Sequence, residues 1–233
     1  AFRSSPSRPK MAARKVAVVI GYGPGIGASV AKKFSDEGFA VGIISRNAEK
    51  LAAAAASLPN SLACAADATD AEALTGALAK IESSLGHIDV LNYNAGSGTW
   101  KTYDKVSLEE LDRSMKTCVH GLLAAAQFVC PKMEAKGEGF VVVTGATASL
   151  RGKPMTSAFA AAKAAQRSLT QSMARQLGPK NVHCCHVIID GQVGDVAGKN
   201  HPDAIAQTYF NLYQQPSCCW TFELDVRPNV EPW

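Results

Sequence analysis

The stretch "KVAVVIGYGPGIGASVAKKFSDEGFAVGIISRN", residues 15–47, decides the fold. Val16 to Ile20 form an unbroken apolar run, the length of a parallel strand buried on both faces. Gly21, Gly23, Gly25 and Gly27 follow at alternate positions. Ile26, Val30, Ala31 and Phe34 then recur at helical spacing, Gly38 supplies a stop, and 39–45 read as a second strand. A glycine pattern between a strand and a helix points to a pyrophosphate cradle: the turn is sharp, the backbone can approach closely, and the helix start offers free N–H groups. The competing reading is a tight turn that binds nothing. The second strand ends at Ser45 and Arg46, where an acid would accept the ribose hydroxyls of NAD. A hydroxyl and a guanidinium suit a 2′-phosphate instead, so NADP(H) is expected over NAD(H). An arginine capping a solvent-exposed loop is the alternative.

The same alternation runs outward along the chain. Helix is expected over 47–57, a strand at "SLACAAD", helix over 70–85, a strand at "HIDVLNY" and a long helix over 107–136. A strand at "GFVVVTG", helix over 155–178, a strand at "NVHCCHVII", helix over 202–215 and a last strand at "WTFELDV" complete the series. Strand–helix alternation over the whole length predicts an α/β fold, a doubly wound parallel sheet in a single domain spanning 16–233.

The chain has 233 residues, 47% hydrophobic and 19% charged, which is the composition of a folded domain. No apolar run reaches the ~18 residues of a membrane span. The net charge is +4, but residues 1–15 carry Arg3, Arg8, Lys10, Arg14 and Lys15 and no acid. The body is close to neutral and gives no electrostatic case for nucleic acid. The leader is also rich in Ser and Pro, which fits an organellar transit remnant; its initial Ala-Phe resembles the cleavage context of plastid-targeted proteins. A plastid stroma is therefore one expectation. A non-native extension ahead of Met11, with a cytoplasmic protein, is the other. The seven cysteines include two vicinal pairs and no C-x-x-C, which indicates free thiols in a reducing compartment and no metal site.

Gly21, Gly25 and Gly27, "DATD" at 67–70, "NAG" at 94–96 and the lysine at 163 together resemble the short-chain dehydrogenase/reductase family, from residue 16 to about 195. The resemblance implies a Rossmann-like sheet of about seven strands. It implies a cofactor site of Gly21, Gly23, Gly25, Ile26, Gly27, Ser45, Arg46, Asp67, Asn94, Ala95, Gly96, Lys163 and Val193. Asp67 would face the adenine amino group, and Lys163 the nicotinamide ribose.

The family's tyrosine lies four residues before that lysine, so both share a helix face. Its serine lies thirteen residues before the tyrosine, and an asparagine on the preceding helix holds a water of the proton relay. Here the three positions are Phe159, Ala146 and Cys118. Phe and Ala cannot move a proton. The resemblance thus implies either a catalytically silent member serving as subunit, scaffold or nucleotide sensor, or an atypical oxidoreductase with a non-standard proton donor. Minor candidates for such a donor are Tyr93, His120, Thr147, Thr156, Ser157, Asp190 and Asp195; Thr147 should point away from the site if its segment is extended. Family members commonly pair through the helices here placed at 107–136 and 155–178, so a homo-oligomer, or a larger assembly contacted by the leader, is expected.

Overall fold

In the computed structural model, which describes residues 14–232, strands and helices alternate in the expected order. They are β1 (Val16–Ile20), α1 (Ile26–Asp36), β2 (Ala40–Ser45), α2 (Ala48–Ala56), β3 (Ser61–Ala65), α3 (Ala71–Leu85) and β4 (Ile88–Tyr93). Then come α4 (Leu108–Met115), α5 (Gly121–Lys136), β5 (Gly139–Ala146), α6 (Ser157–Leu177), β6 (Val182–Ile189), α7 (Pro202–Tyr213) and β7 (Glu223–Val226). The seven strands form one sheet in the order β3-β2-β1-β4-β5-β6-β7, every pairing parallel. The order reverses between β1 and β4, and a crevice opens beyond the carboxyl ends of those strands.

Side chains alternate across a strand, so a strand with helices on both faces must be apolar throughout. Val16, Val18 and Ile20 enter one core with Leu74, Ile81, Leu122 and Val129. Ala17 and Val19 enter the other with Val30, Phe34, Tyr209 and Phe210. Cys184 and Cys185 divide in the same way, one to each core, and both are free thiols. Helix starts are capped as the sequence suggests: Asn47 accepts from the Lys50 N–H at 2.8 Å and Asp70 from the Ala73 N–H at 2.9 Å. Ser107 and Glu110 close a reciprocal capping box at α4.

Two expectations are modified. The helix over 107–136 is continuous but contains one π-helical turn at Lys116–His120, joining α4 to α5. Side-chain donors reach the carbonyls there: the Tyr93 hydroxyl donates to Thr117 O at 2.5 Å and Gln166 Nε2 donates to Cys118 O at 2.9 Å. Inserted donors of this kind favour a local widening of the helical ladder. The strand expected at 220–226 pairs only over Glu223–Val226. Its first residues are drawn elsewhere: Trp220 stacks on His183 with centroids 4.9 Å apart, and the Thr221 N–H donates to the Gln215 side chain.

Readings of residues 1–13 lie outside the described residues. Lys15 is bound to the body, its Nζ donating to Glu138 at 2.5 Å and to the Tyr213 hydroxyl at 2.9 Å. No helix among the described residues is long and apolar enough to cross a membrane.

Candidate functional site

The glycine turn sits where β1 hands over to α1. Gly21 has φ +90, and a Cβ there would stand 2.5 Å from the Ala95 nitrogen; a Cβ on Gly27 would stand 2.7 Å from Gly21 O. These two glycines let the turn pack against the end of β4. Asn94 braces the contact by donating from Nδ2 to Gly21 O at 2.9 Å. Gly23 and Gly25 differ: a Cβ at either would meet no atom within 4 Å. Their open sides face a groove rather than the core.

The groove has two lobes. One, of about 410 Å³, is lined by Gly21, Ser45, Arg46, Asp67, Asn94, Ala95 and Gly96, among others. The second, of about 450 Å³, runs past Gly23, Gly25, Ile26, Gly27, Asn94 and Val193. The structure therefore brings together every residue expected of a cofactor site except Lys163. Arg46 is exposed at the end of β2, and Asp67 accepts from the Thr69 N–H at 2.9 Å through one oxygen.

Lys163 is not in the lining of either lobe. It is only 4% exposed and lies beneath Gly96, its Nζ 3.7 Å from the position a Cβ would take there. The ammonium donates to Thr144 O at 2.7 Å and to Gln166 Oε1 at 2.9 Å. Gln166 is fully buried, and its other end donates to the Cys118 carbonyl. One carboxamide thus spans from the lysine to the helix carbonyl at position 118. Burial lowers the lysine pKa from its ordinary value, and the neighbouring Cys118 opposes the shift. Nothing in the sequence singled out Gln166, because its partners lie 48 residues away on another helix and three away on its own.

Phe159 and Ala146 come together on one cavity of about 170 Å³, with Trp100, Thr147, Ala148, Arg151 and Ile189 also in its wall. The Phe159 and Trp100 rings lie 5.5 Å apart, and the Lys163 Nζ is 5.9 Å from the Phe159 centroid. Cys118 is fully buried away from this cavity.

The minor candidates separate clearly. Tyr93 is wholly buried, its hydroxyl spent on Thr117 O, and burial raises its pKa. His120 is exposed. Thr156 closes a turn with Lys153, and Ser157 contacts backbone carbonyls. Asp195 is exposed and steadies His201, the cap of α7. Thr147 corrects the expectation for its orientation. β5 ends at Ala146 and residues 147–149 turn into a short 3₁₀ segment, which aims the Thr147 hydroxyl at Asp190 Oδ1, 2.5 Å away. Asp190 lies inside a cluster of cations. It is 4% exposed and faces the guanidinium groups of Arg151 at 3.3 Å and Arg227 at 3.4 Å.

The comparisons with known proteins agree with this geometry. A family model described as short chain dehydrogenase matches residues 15–199. An "Oxidoreductase asL5" from Sarocladium schorii is 34% identical over 169 residues, covering 72% of this chain and 68% of its own. A solved short-chain dehydrogenase from Rhodopseudomonas palustris is 36% identical, with a TM-score of 0.83 over 92% of this chain and 98% of that one. A metagenomic short-chain oxidoreductase solved in complex with NADP is 26% identical, with a TM-score of 0.81 over 93% and 97% of the two chains. The chain belongs to the short chain dehydrogenase family.

Proposed function

We propose that this protein binds NADP(H) and lacks the serine/tyrosine carbonyl-reducing chemistry of its family, acting as a nucleotide sensor, subunit or scaffold. The observation that carries this reading is the Lys163–Gln166–Cys118 bridge. A water at that place could pass a proton; a carboxamide wedged between an ammonium and a carbonyl cannot. At the other end of the would-be relay, Phe159 and Ala146 present only carbon to the cavity.

The groove fits a dinucleotide. Gly23 and Gly25 leave their Cβ directions open, and the first turn of α1 has N–H groups without intrahelical carbonyls, as every helix start does. Ser45 and Arg46, in place of an acid at the end of β2, favour a 2′-phosphate. The NADP complex of the metagenomic relative supports the same choice. When bound, NADP(H) supplies a hydride donor or acceptor; this chain's residues would hold it and exclude water, but offer no tyrosine to complete the transfer.

The test is a titration with NADPH and NADH, followed by reductase assays on a panel of ketones and aldehydes. Binding without turnover is expected, and a Phe159→Tyr/Ala146→Ser variant should remain silent while Gln166 stays. Turnover by the unaltered chain at rates typical of the family refutes the proposal. A second reading, an atypical oxidoreductase, rests on the Thr147–Asp190 pair, a hydroxyl held against a carboxylate at the wall of the Phe159 cavity. Turnover that a Thr147→Val variant abolishes would establish it.

A further inference from the structure

The cavity above Phe159 is larger and more polarised than its throat alone. It shares Trp100, Thr147, Lys153 and Gly191 with an adjoining basin of about 530 Å³ that also includes Asp190, Lys199 and Glu231. One side of the throat is apolar, with Phe159, Trp100, Ala146, Ala148 and Ile189, and the other carries Thr147, Arg151, Lys153 and Thr156. Trp100 is 62% exposed and its ring rests on Phe159, centroids 5.5 Å apart and planes tilted 47°, so the pair presents one aromatic wall.

The charges at the basin are of two kinds. Asp190 is already held by Thr147, Arg151 and Arg227, whereas the Glu231 carboxylate lies in the same basin, its Oε2 2.8 Å from the position a Cβ on Gly191 would take. Lys153 and Lys199 are exposed, and among the described residues neither has a carboxylate within 4.0 Å. An aromatic wall opening onto a basin where Lys153, Lys199, Arg151 and Arg227 outnumber the carboxylates of Asp190 and Glu231 is complementary to one ligand chemistry, a planar apolar body carrying an anionic group.

We infer that this compound cavity binds an aromatic carboxylate, its ring packed against the wall formed by Trp100 and Phe159 and its carboxylate toward Lys153 and Lys199. The inference rests on the reading above that the site binds without reducing, and it gives that reading a ligand. Phe159 then has a positive role: a phenyl ring stacks on an aromatic guest without presenting a hydroxyl that the guest would have to satisfy. A carboxylate is also a poor hydride acceptor, which suits a site that holds rather than converts.

The experiment is calorimetric titration with 2-naphthoate and with neutral 2-naphthamide, each with and without saturating NADPH. Naphthoate should bind about tenfold more tightly than the amide, since exposed ion pairs contribute a factor of roughly two to five each. Added salt at 0.5 M should erode that preference and leave the amide unchanged. In Lys153→Met/Lys199→Met the preference should vanish, whereas Phe159→Ala should weaken both probes alike. Circular dichroism establishes that each variant folds.

Equal affinity for the two probes overturns the inference, as does a preference that survives the double lysine variant. Binding of NADPH with no binding of naphthoate overturns it while leaving the nucleotide reading intact. Naphthoate binding without NADPH binding does the reverse.

Discussion

Replacing Gln166 with leucine tests the buried bridge directly. The variant keeps the side-chain size but strips Lys163 of one acceptor and the Cys118 carbonyl of its donor. A hydrogen bond to a charged group contributes about 1.5–3 kcal/mol, and an orphaned buried carbonyl costs about 1–3 kcal/mol. The extra apolar burial of leucine offsets about 1 kcal/mol. The net loss is therefore about 3 kcal/mol, or about 10 °C in Tm for a domain of this size. Urea denaturation at pH 7 measures it. The pH dependence supplies a second, independent check. The native Lys163 pKa lies below its unfolded value of 10.5, so within that window the unfolded chain holds a proton that the native one lacks, and stability rises with pH. Losing an acceptor lowers the native pKa further and widens the window, so the deficit of Gln166→Leu should shrink as pH rises toward 10.5. A deficit below about 1 kcal/mol at pH 7, or one that ignores pH, would refute the bridge.

Three further expectations follow from the same geometry. Gly21→Ala should lower Tm sharply, because its Cβ would meet the Ala95 backbone at 2.5 Å, whereas Gly23→Ala should leave Tm within a degree or two and weaken NADPH binding. Thermal melts and nucleotide titrations separate the two. Arg46→Ala should reduce NADPH affinity by about tenfold or more and leave NADH affinity unchanged, as measured by nucleotide fluorescence; equal losses would remove Arg46 from the 2′-phosphate assignment. His186 is buried, which presses its pKa down to about 4, despite the opposing Glu223 beside it. The unfolded chain therefore takes up a proton below pH 6.5 that the native chain refuses until about pH 4. Stability should fall by about 2 kcal/mol on going to pH 5, and His186→Gln should flatten that limb in urea titrations.

The fold was legible because strand and helix are local properties. A five-residue apolar run before alternating glycines leaves few other arrangements, and the caps at Asn47, Asp70 and Ser107 are written within three residues of the groups they satisfy. The glycine groove was legible for the same reason. What escaped was long-range pairing. That Gln166 reaches Cys118, that Asp190 lies between Arg151 and Arg227, and that Trp100 leans on Phe159 all depend on which distant elements the sheet brings together. Lys163 shows the difference most plainly. Its position on α6 was readable, but whether its ammonium faces a groove or a glutamine depends on a residue one helical turn further on.

The bridge at Gln166 also bears on the order in which changes could accumulate in such a chain. Restoring a phenol at position 159 would set it beside an ammonium already committed to Thr144 and Gln166, with little gained. Removing Gln166 first would sacrifice stability before any chemistry returned. On the proposed reading, each single step back would be neutral or harmful, and only the combination, reopening the space between Lys163 and the Cys118 carbonyl as well, would be favoured. Substitutions coupled so closely do not add. One buried carboxamide would thus act as a historical ratchet: easily set once the proton path is no longer needed, and difficult to reverse one residue at a time.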